Sequence, residues 1–196
     1  MGPIADRHTF DRLVLEHLTA AHRFAIRLTG DPDEAQELVQ EALGRAAGAW
    51  RTFAGRSTFR TWLLQIVVNA FRDHLRRRGV DTSAELPDGQ ASDVADHRAR
   101  DPVAEASAGE LGRIIAGKVS SLPPRQREVL VLIAYEHLSP TEAAAVIGVT
   151  EQNVRTNLHF ARERLRRQLE PYLNEGGSGQ GRMMDGMRNG QVHDGR

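Results

Sequence analysis

Apolar residues recur at three- and four-residue spacing through 10–30, 33–50, 60–76, 107–121, 125–136, 140–147 and 151–170, and no run alternates with the period of a strand. The pattern predicts an all-α chain. Capping residues mark three helix starts. Asp31-Pro32-Asp33-Glu34 and Ser139-Pro140-Thr141-Glu142 each offer an N-cap, a first-turn proline and a reciprocal carboxylate, and Thr150 can cap the helix after it. Gly148 supplies a stop between the last two helices.

Two stretches break the periodicity. GVDTSAELPDGQASDVADHRARDP (79–102) is rich in Asp, Ser, Ala, Gly and Pro and keeps no apolar face, so it predicts a flexible linker. NEGGSGQGRMMDGMRNGQVHDGR (174–196) lacks the aliphatic residues a core needs and predicts a disordered tail. The expected architecture is therefore two small helical modules, 1–78 and 107–173, joined by a linker over 79–106, with the tail at 174–196.

Composition sharpens this only through its distribution. The 196 residues carry equal numbers of acidic and basic groups, yet the signs are segregated. Arg51, Arg56, Arg60, Arg72, Arg76, Arg77 and Arg78 stand against Asp73 in 51–79, a net +6. Eight acids stand against Arg98 and Arg100 in 81–110, a net −6. With no cysteine, disulfides and thiolate metal sites are excluded. The start MGPIADRHTF has no secretory pattern, Asp6 stands where a myristoylation motif needs Ser or Thr, and no apolar run approaches membrane-spanning length. These features predict a cytoplasmic protein without membrane insertion.

On a helix over 60–76, Leu63, Leu64, Ile66, Val67, Ala70, Phe71 and Leu75 share one broad side, leaving Trp62, Gln65, Asn69, Arg72 and Arg76 in a stripe opposite. An indole, two amides and two guanidiniums in line suit a strand of nucleic acid, because arginines hold phosphates while the ring and the amides meet bases. The preceding loop FAGRSTF, bounded by Phe53 and Phe59 and carrying Arg56 and Ser57, could receive an unstacked base. The plainer alternative is a core tryptophan beside a solvated charged face.

Residues 139–170 read SPTEAAAVIGVTEQNVRTNLHFARERLRRQLE: a short capped helix, a Gly-Val-Thr turn and a longer basic helix, the spacing of a helix-turn-helix. On the second helix Val154, Leu158, Ala161 and Leu165 form the apolar stripe. Gln152, Arg155, Thr156 and His159 are then placed to meet bases, and Arg162 and Arg166 phosphates. Any helical hairpin with a charged exterior is the competing reading.

Three blocks, LTGDPDEAQELVQEAL (28–43), FAGRSTFRTWLLQIVVNAFRDHLRRR (53–78) and LPPRQREVLVLIAYEHLSPTEAAAVIGVTEQNVRTNLHFARERLRRQL (122–169), taken in this order around an acidic linker, resemble bacterial RNA polymerase sigma factors of the extracytoplasmic-function type. The resemblance runs from about residue 10 to 173. It implies that Glu37, Leu38, Val39, Gln40 and Glu41 lie on the helix that docks on core RNA polymerase. It implies that Phe53, Arg56, Ser57, Phe59, Trp62, Gln65, Asn69, Arg72 and Arg76 open and read the minus-ten promoter element. The 139–169 pair would read the minus-thirty-five element. Such a protein is no enzyme and needs no cofactor or small-molecule substrate; its partners are core polymerase, promoter DNA and, by family, an anti-sigma protein. Some positions depart from the pattern: Glu37 stands for a usual Asp, Gly44 and Ala47 for larger residues, and Thr156-Asn157 for a more frequent Ser-Arg.

Two rival readings remain at this point. A stand-alone helix-turn-helix regulator would need a dimerisation seam, and no heptad repeat is present. A sigma-like decoy for an anti-sigma protein should have lost the strand-facing side chains, which are here. The eight histidines form no HExxH pair, and GGSGQGR lacks the strand and the Lys-Ser/Thr of a phosphate loop.

Overall fold

The computed structural model describes residues 6–80 and 109–176. The acidic linker, apart from Gly79 and Val80, and most of the glycine-rich tail lie outside the described residues. The described chain is helical apart from its connections: α1 (Arg7–Thr29), α2 (Pro32–Ala49), a 3-10 turn (Trp50–Thr52), α3 (Phe59–Arg77), α4 (Glu110–Ser120), α5 (Pro124–Ala134), α6 (Pro140–Ile147) and α7 (Glu151–Gly176).

The caps place the helix ends. The Asp31 carboxylate accepts from the Asp33 and Glu34 amides at 2.8 and 2.9 Å, and Thr58 accepts from the Thr61 amide at 3.1 Å. Ser139 and Glu142 form a complete reciprocal box, and Thr150 accepts from the Asn153 amide at 3.2 Å. The box expected at Asp31 is only half formed. The Asp31 amide is taken by Thr29 Oγ1 at 3.2 Å, while the Glu34 carboxylate turns to Arg78 and His74 at the end of α3. The basic side chains at the end of α3 therefore hold the Glu34 carboxylate that a reciprocal box would have needed. Helix α7 also runs past the expected 170, through Pro171 to Gly176.

The two helical groups meet in the packing. Helices α1 to α3 bring Phe24, Leu28, Leu38, Val67, Val68 and Phe71 into the same buried cluster as Leu122, Val129, Leu132, Val146, Ile147 and Val154 of the later helices. Helix α6 packs on α3, and α4 and α5 pack on α1. At one point the approach leaves no room for a side chain. Gly30, at φ 78°, closes α1, and a Cβ there would lie 2.6 Å from Ser120 Cβ. A satellite cluster of Ala21, Ala46, Trp50, Phe59 and Leu63 fills the far end of the first three helices.

Candidate nucleic-acid interface

The loop that enters α3 is built on clustered rings, stacked between Trp50 and Phe53 and tilted elsewhere. Phe53 lies 4.8 Å from Trp62 and 5.5 Å from Trp50, centroid to centroid, and Phe59 lies 5.6 Å from Trp62. Phe59 is buried, Phe53 and Trp62 are half-buried, and Arg56 and Ser57 are exposed at the loop tip beside Gly55, which takes φ 65°. Clustered aromatics anchor both ends of the loop and leave its polar middle to solvent. The sequence reading missed Trp50 and Phe10, which complete the cluster with a ring contact of 5.3 Å. The usable signal was the spacing of Trp50, Phe53 and Phe59 across one connection.

Along α3 the expected stripe is divided. Asn69 and Arg76 are exposed, whereas Trp62, Gln65 and Arg72 are half-buried. The difference at Arg72 arises because its guanidinium meets the second group of helices. Nε and Nη2 donate to the two Glu128 carboxylate oxygens at 2.9 and 2.7 Å, and Nη1 donates to the Ile147 carbonyl at 2.9 Å. Arg60, at the start of α3, donates from Nη2 to the Glu136 carboxylate at 2.5 Å and to its carbonyl at 3.1 Å. Arg76 pairs with Asp73 on its own helix.

The second interface lies on α7. Val154, Leu158 and Ala161 are buried, as the periodicity predicts, and Leu165 is half-buried. Gln152, Arg155, Thr156, His159, Arg162 and Arg166 are all exposed. Arg155 donates to Glu151 at 2.5 and 3.0 Å, and Arg166 to Glu163 at 2.9 Å. These exposed pairs are weak and leave the arginines free to exchange partners. Asn157 turns back to donate to the Asn153 carbonyl at 2.9 Å.

On α2, Glu37 and Gln40 are exposed, but Leu38 and Val39 are core residues. A buried Leu38 shapes this helix from within and offers no docking surface. Glu41 accepts from Arg77 at 2.8 and 3.2 Å and from Arg45 at 2.5 Å. The Arg77 hydrogen bonds, with those of Arg45, outweigh desolvation and lower the Glu41 carboxyl from 4.5 to about 2.

Among the described residues, no group of three or more His, Asp or Glu could hold a metal ion, and no helix is long and apolar enough to cross a membrane.

Residues 13–80 match the family Sigma-70 region 2, and residues 113–165 match Sigma-70, region 4. The ECF RNA polymerase sigma factor SigE of Mycolicibacterium smegmatis is 34% identical over 89% of the chain, which spans 66% of that longer protein. SigM of Mycobacterium tuberculosis, another ECF RNA polymerase sigma factor, is 35% identical over 87% of the chain and 82% of its own length. Among solved structures, the sigma factor RpoE in complex with the anti-sigma factor NepR from Bartonella quintana superposes with TM-score 0.64 at 28% identity, over 82% of this chain and 96% of that one. CnrH in complex with the cytosolic domain of CnrY gives 0.60 at 27% identity, over 85% and 90%. These structures correct the descriptive terms drawn from the sequence, which name promoter binding and transcription initiation and give anti-sigma binding only among the partners: RpoE was solved with an anti-sigma factor. Of the cytoplasmic expectation, what stands is that no helix among the described residues is long and apolar enough to cross a membrane.

Proposed function

The chain belongs to the extracytoplasmic-function family of RNA polymerase sigma factors, and we propose from that membership how its surfaces divide the work. It binds core RNA polymerase, recognises promoter elements and promotes strand opening. Sigma factors catalyse no reaction themselves, so opening is driven by binding energy: captured bases and phosphate contacts stabilise the separated strands. Residues 1–78 form the polymerase-docking and minus-ten module, with Glu37, Gln40 and Glu41 on the docking helix and Leu38 supporting it from the core. Residues 79–106 form an acidic linker, 107–173 the minus-thirty-five module, and 174–196 a tail. Phe53, Arg56, Ser57, Trp62, Gln65, Asn69, Arg72 and Arg76 meet the opened strand, while Phe59, expected among them, is buried and anchors the loop from within. Gln152, Arg155, Thr156 and His159 meet bases of the upstream element, and Arg162 and Arg166 its phosphates.

One observation carries the reading: every candidate side chain on α7 is exposed, on a helix that follows the boxed start of α6 and the left-handed turn at Gly148 in helix-turn-helix order. That RpoE of Bartonella quintana was solved with an anti-sigma factor supports an anti-sigma protein as a further partner.

Footprinting of the reconstituted holoenzyme tests the division. Arg155→Ala should weaken protection of the upstream element by about 1–3 kcal/mol, the value of a good bidentate base contact. Protection around the start site should be retained. An upstream footprint identical to wild type contradicts the assignment of α7.

A further inference from the structure

The basic block 51–79 holds one acid among seven arginines, and the proposed function leaves that acid without a task. Asp73 lies on α3 three residues before Arg76, and its two carboxylate oxygens serve different helices. Oδ2 accepts from Arg45 Nη1 of α2 at 2.6 Å, and Oδ1 accepts from Arg76 Nη2. Arg45 also donates to Glu41 at 2.5 Å. The carboxylate is thus fixed to a second helix, while the Arg76 side chain that it holds is 66% exposed. Burial raises the Asp73 pKa, but the hydrogen bond and charge of Arg45, with the charge of Arg76, outweigh it and hold the group below its ordinary value. At neutral pH Asp73 is therefore an anion set in the basic stripe.

Its partnership differs from the others in the block. Arg60, Arg72, Arg77 and Arg78 meet Glu136, Glu128, Glu41 and Glu34, all outside 51–79. Asp73 belongs to α3 itself, so it accompanies Arg76 whatever surface the helix meets. A pair of this spacing on an exposed face adds little stability, and Arg77 with Glu41 already ties α3 to α2. Its consequence is electrostatic. An uncompensated guanidinium attracts any phosphate, and that attraction carries no sequence information. A compensated one keeps its directional donors: Asp73 takes the Arg76 fork at Nη2, and the guanidinium carries further N–H groups. Such donors reward a phosphate only where the strand is already seated in register. We propose that Asp73 is a specificity-determining positioning residue, which cancels the sequence-blind attraction of Arg76 and aims its remaining N–H groups at one phosphate of a correctly seated strand. The inference rests on the assignment of Arg76 to the opened strand and adds a role for the acid beside it.

The test uses holoenzyme reconstituted from core polymerase and the full-length chain. Its probes are a fluorescent single-stranded oligonucleotide carrying the minus-ten sequence that wild-type holoenzyme enriches from a randomised pool, and a scrambled counterpart. Asp73→Asn keeps the shape of the side chain and removes its charge. It should steepen the log–log salt dependence of scrambled-strand binding by about 0.7, the release expected for one more neutralised phosphate on a single strand. That slope corresponds to about fivefold tighter binding at about 0.1 M salt. The enriched strand should gain less, so discrimination falls. Asp73→Glu keeps the charge and should keep the wild-type slope. Arg45→Gln breaks the same bridge to α2 but leaves Asp73 on Arg76, and it should produce no steepening.

An Asp73→Asn holoenzyme with wild-type slope and wild-type discrimination overturns the proposal. So do equal effects from Asp73→Asn and Arg45→Gln, which would mean that Asp73 serves only to tether the two helices. If Asp73→Asn loses helical circular dichroism, adding Arg45→Gln removes the cation it leaves unpaired. That double variant must still steepen the slope relative to Arg45→Gln alone, and equal slopes overturn the proposal. Failure of the underlying sigma reading has a different signature: wild-type holoenzyme then enriches no sequence from the pool, and both readings fall.

Discussion

At the scale of single residues, periodicity reads a side chain's direction but not its partner. The sequence places Arg72 opposite the apolar side of α3, and there it is half-buried against Glu128, 56 positions away. Leu38 fails for a related reason: a helix with apolar residues on a broad side offers no sequence mark for the ones that stay covered. Glu41 shows what such partnerships do to stability. Its folded pKa lies near 2, below the ordinary 4.5, so its contribution is fully present above pH 4.5 and is lost as pH falls toward 2. Asp73, Glu142 and Glu151 are lowered as well, so each adds a contribution that is present above its ordinary value and lost as pH falls. Urea unfolding between pH 5 and 2 should show stability falling with acid, and Glu41→Gln should flatten the slope. An unchanged slope in the variant means that Arg77 and Arg45 do not hold this carboxylate in solution.

At the scale of elements, the sequence was most informative where local chemistry suffices. Ser139, Glu142, Gly148 and Thr150 take their expected places because a cap is a contact between near neighbours in the chain. The half-formed cap at Asp31 and the continuation of α7 through Pro171 are less local: the first yields to Arg78 and His74 across the fold. Helix α2 carries an unforced weakness. Gly44 is exposed in its interior and has nothing within 4 Å of the position a Cβ would take. Gly44→Ala should therefore stabilise the protein by about 0.5–1 kcal/mol in chemical denaturation, from helix propensity alone. A loss of stability would show that the position has a contact the fold does not reveal.

At the scale of the whole molecule, two helical groups were legible in periodicity and charge, while their shared core was not. An apolar stripe states that a helix packs and is silent on what it packs against, so the meeting of Phe71 and Val67 with Val129 and Ile147 has no trace in either segment. Gly30 marks the seam. Alanine there must hold φ near 78° and also displace Ser120, whose Cβ stands 2.6 Å away. Gly30→Ala should cost about 1–2 kcal/mol from the left-handed conformation alone, and more if Ser120 cannot move. Ser120→Gly in the same chain should recover the steric part and leave the conformational part. Equal losses in the single and double variants would show that α1 and α4 do not meet in solution.

Run-off transcription with sigma-free bacterial core polymerase, the full-length chain and a randomised promoter library tests the central claim most directly. Transcripts preceded by two motifs at fixed spacing, their yield falling steeply with added salt as phosphate contacts require, are the expected result. Core polymerase that binds the chain and yields no enriched transcript at any salt concentration would contradict it.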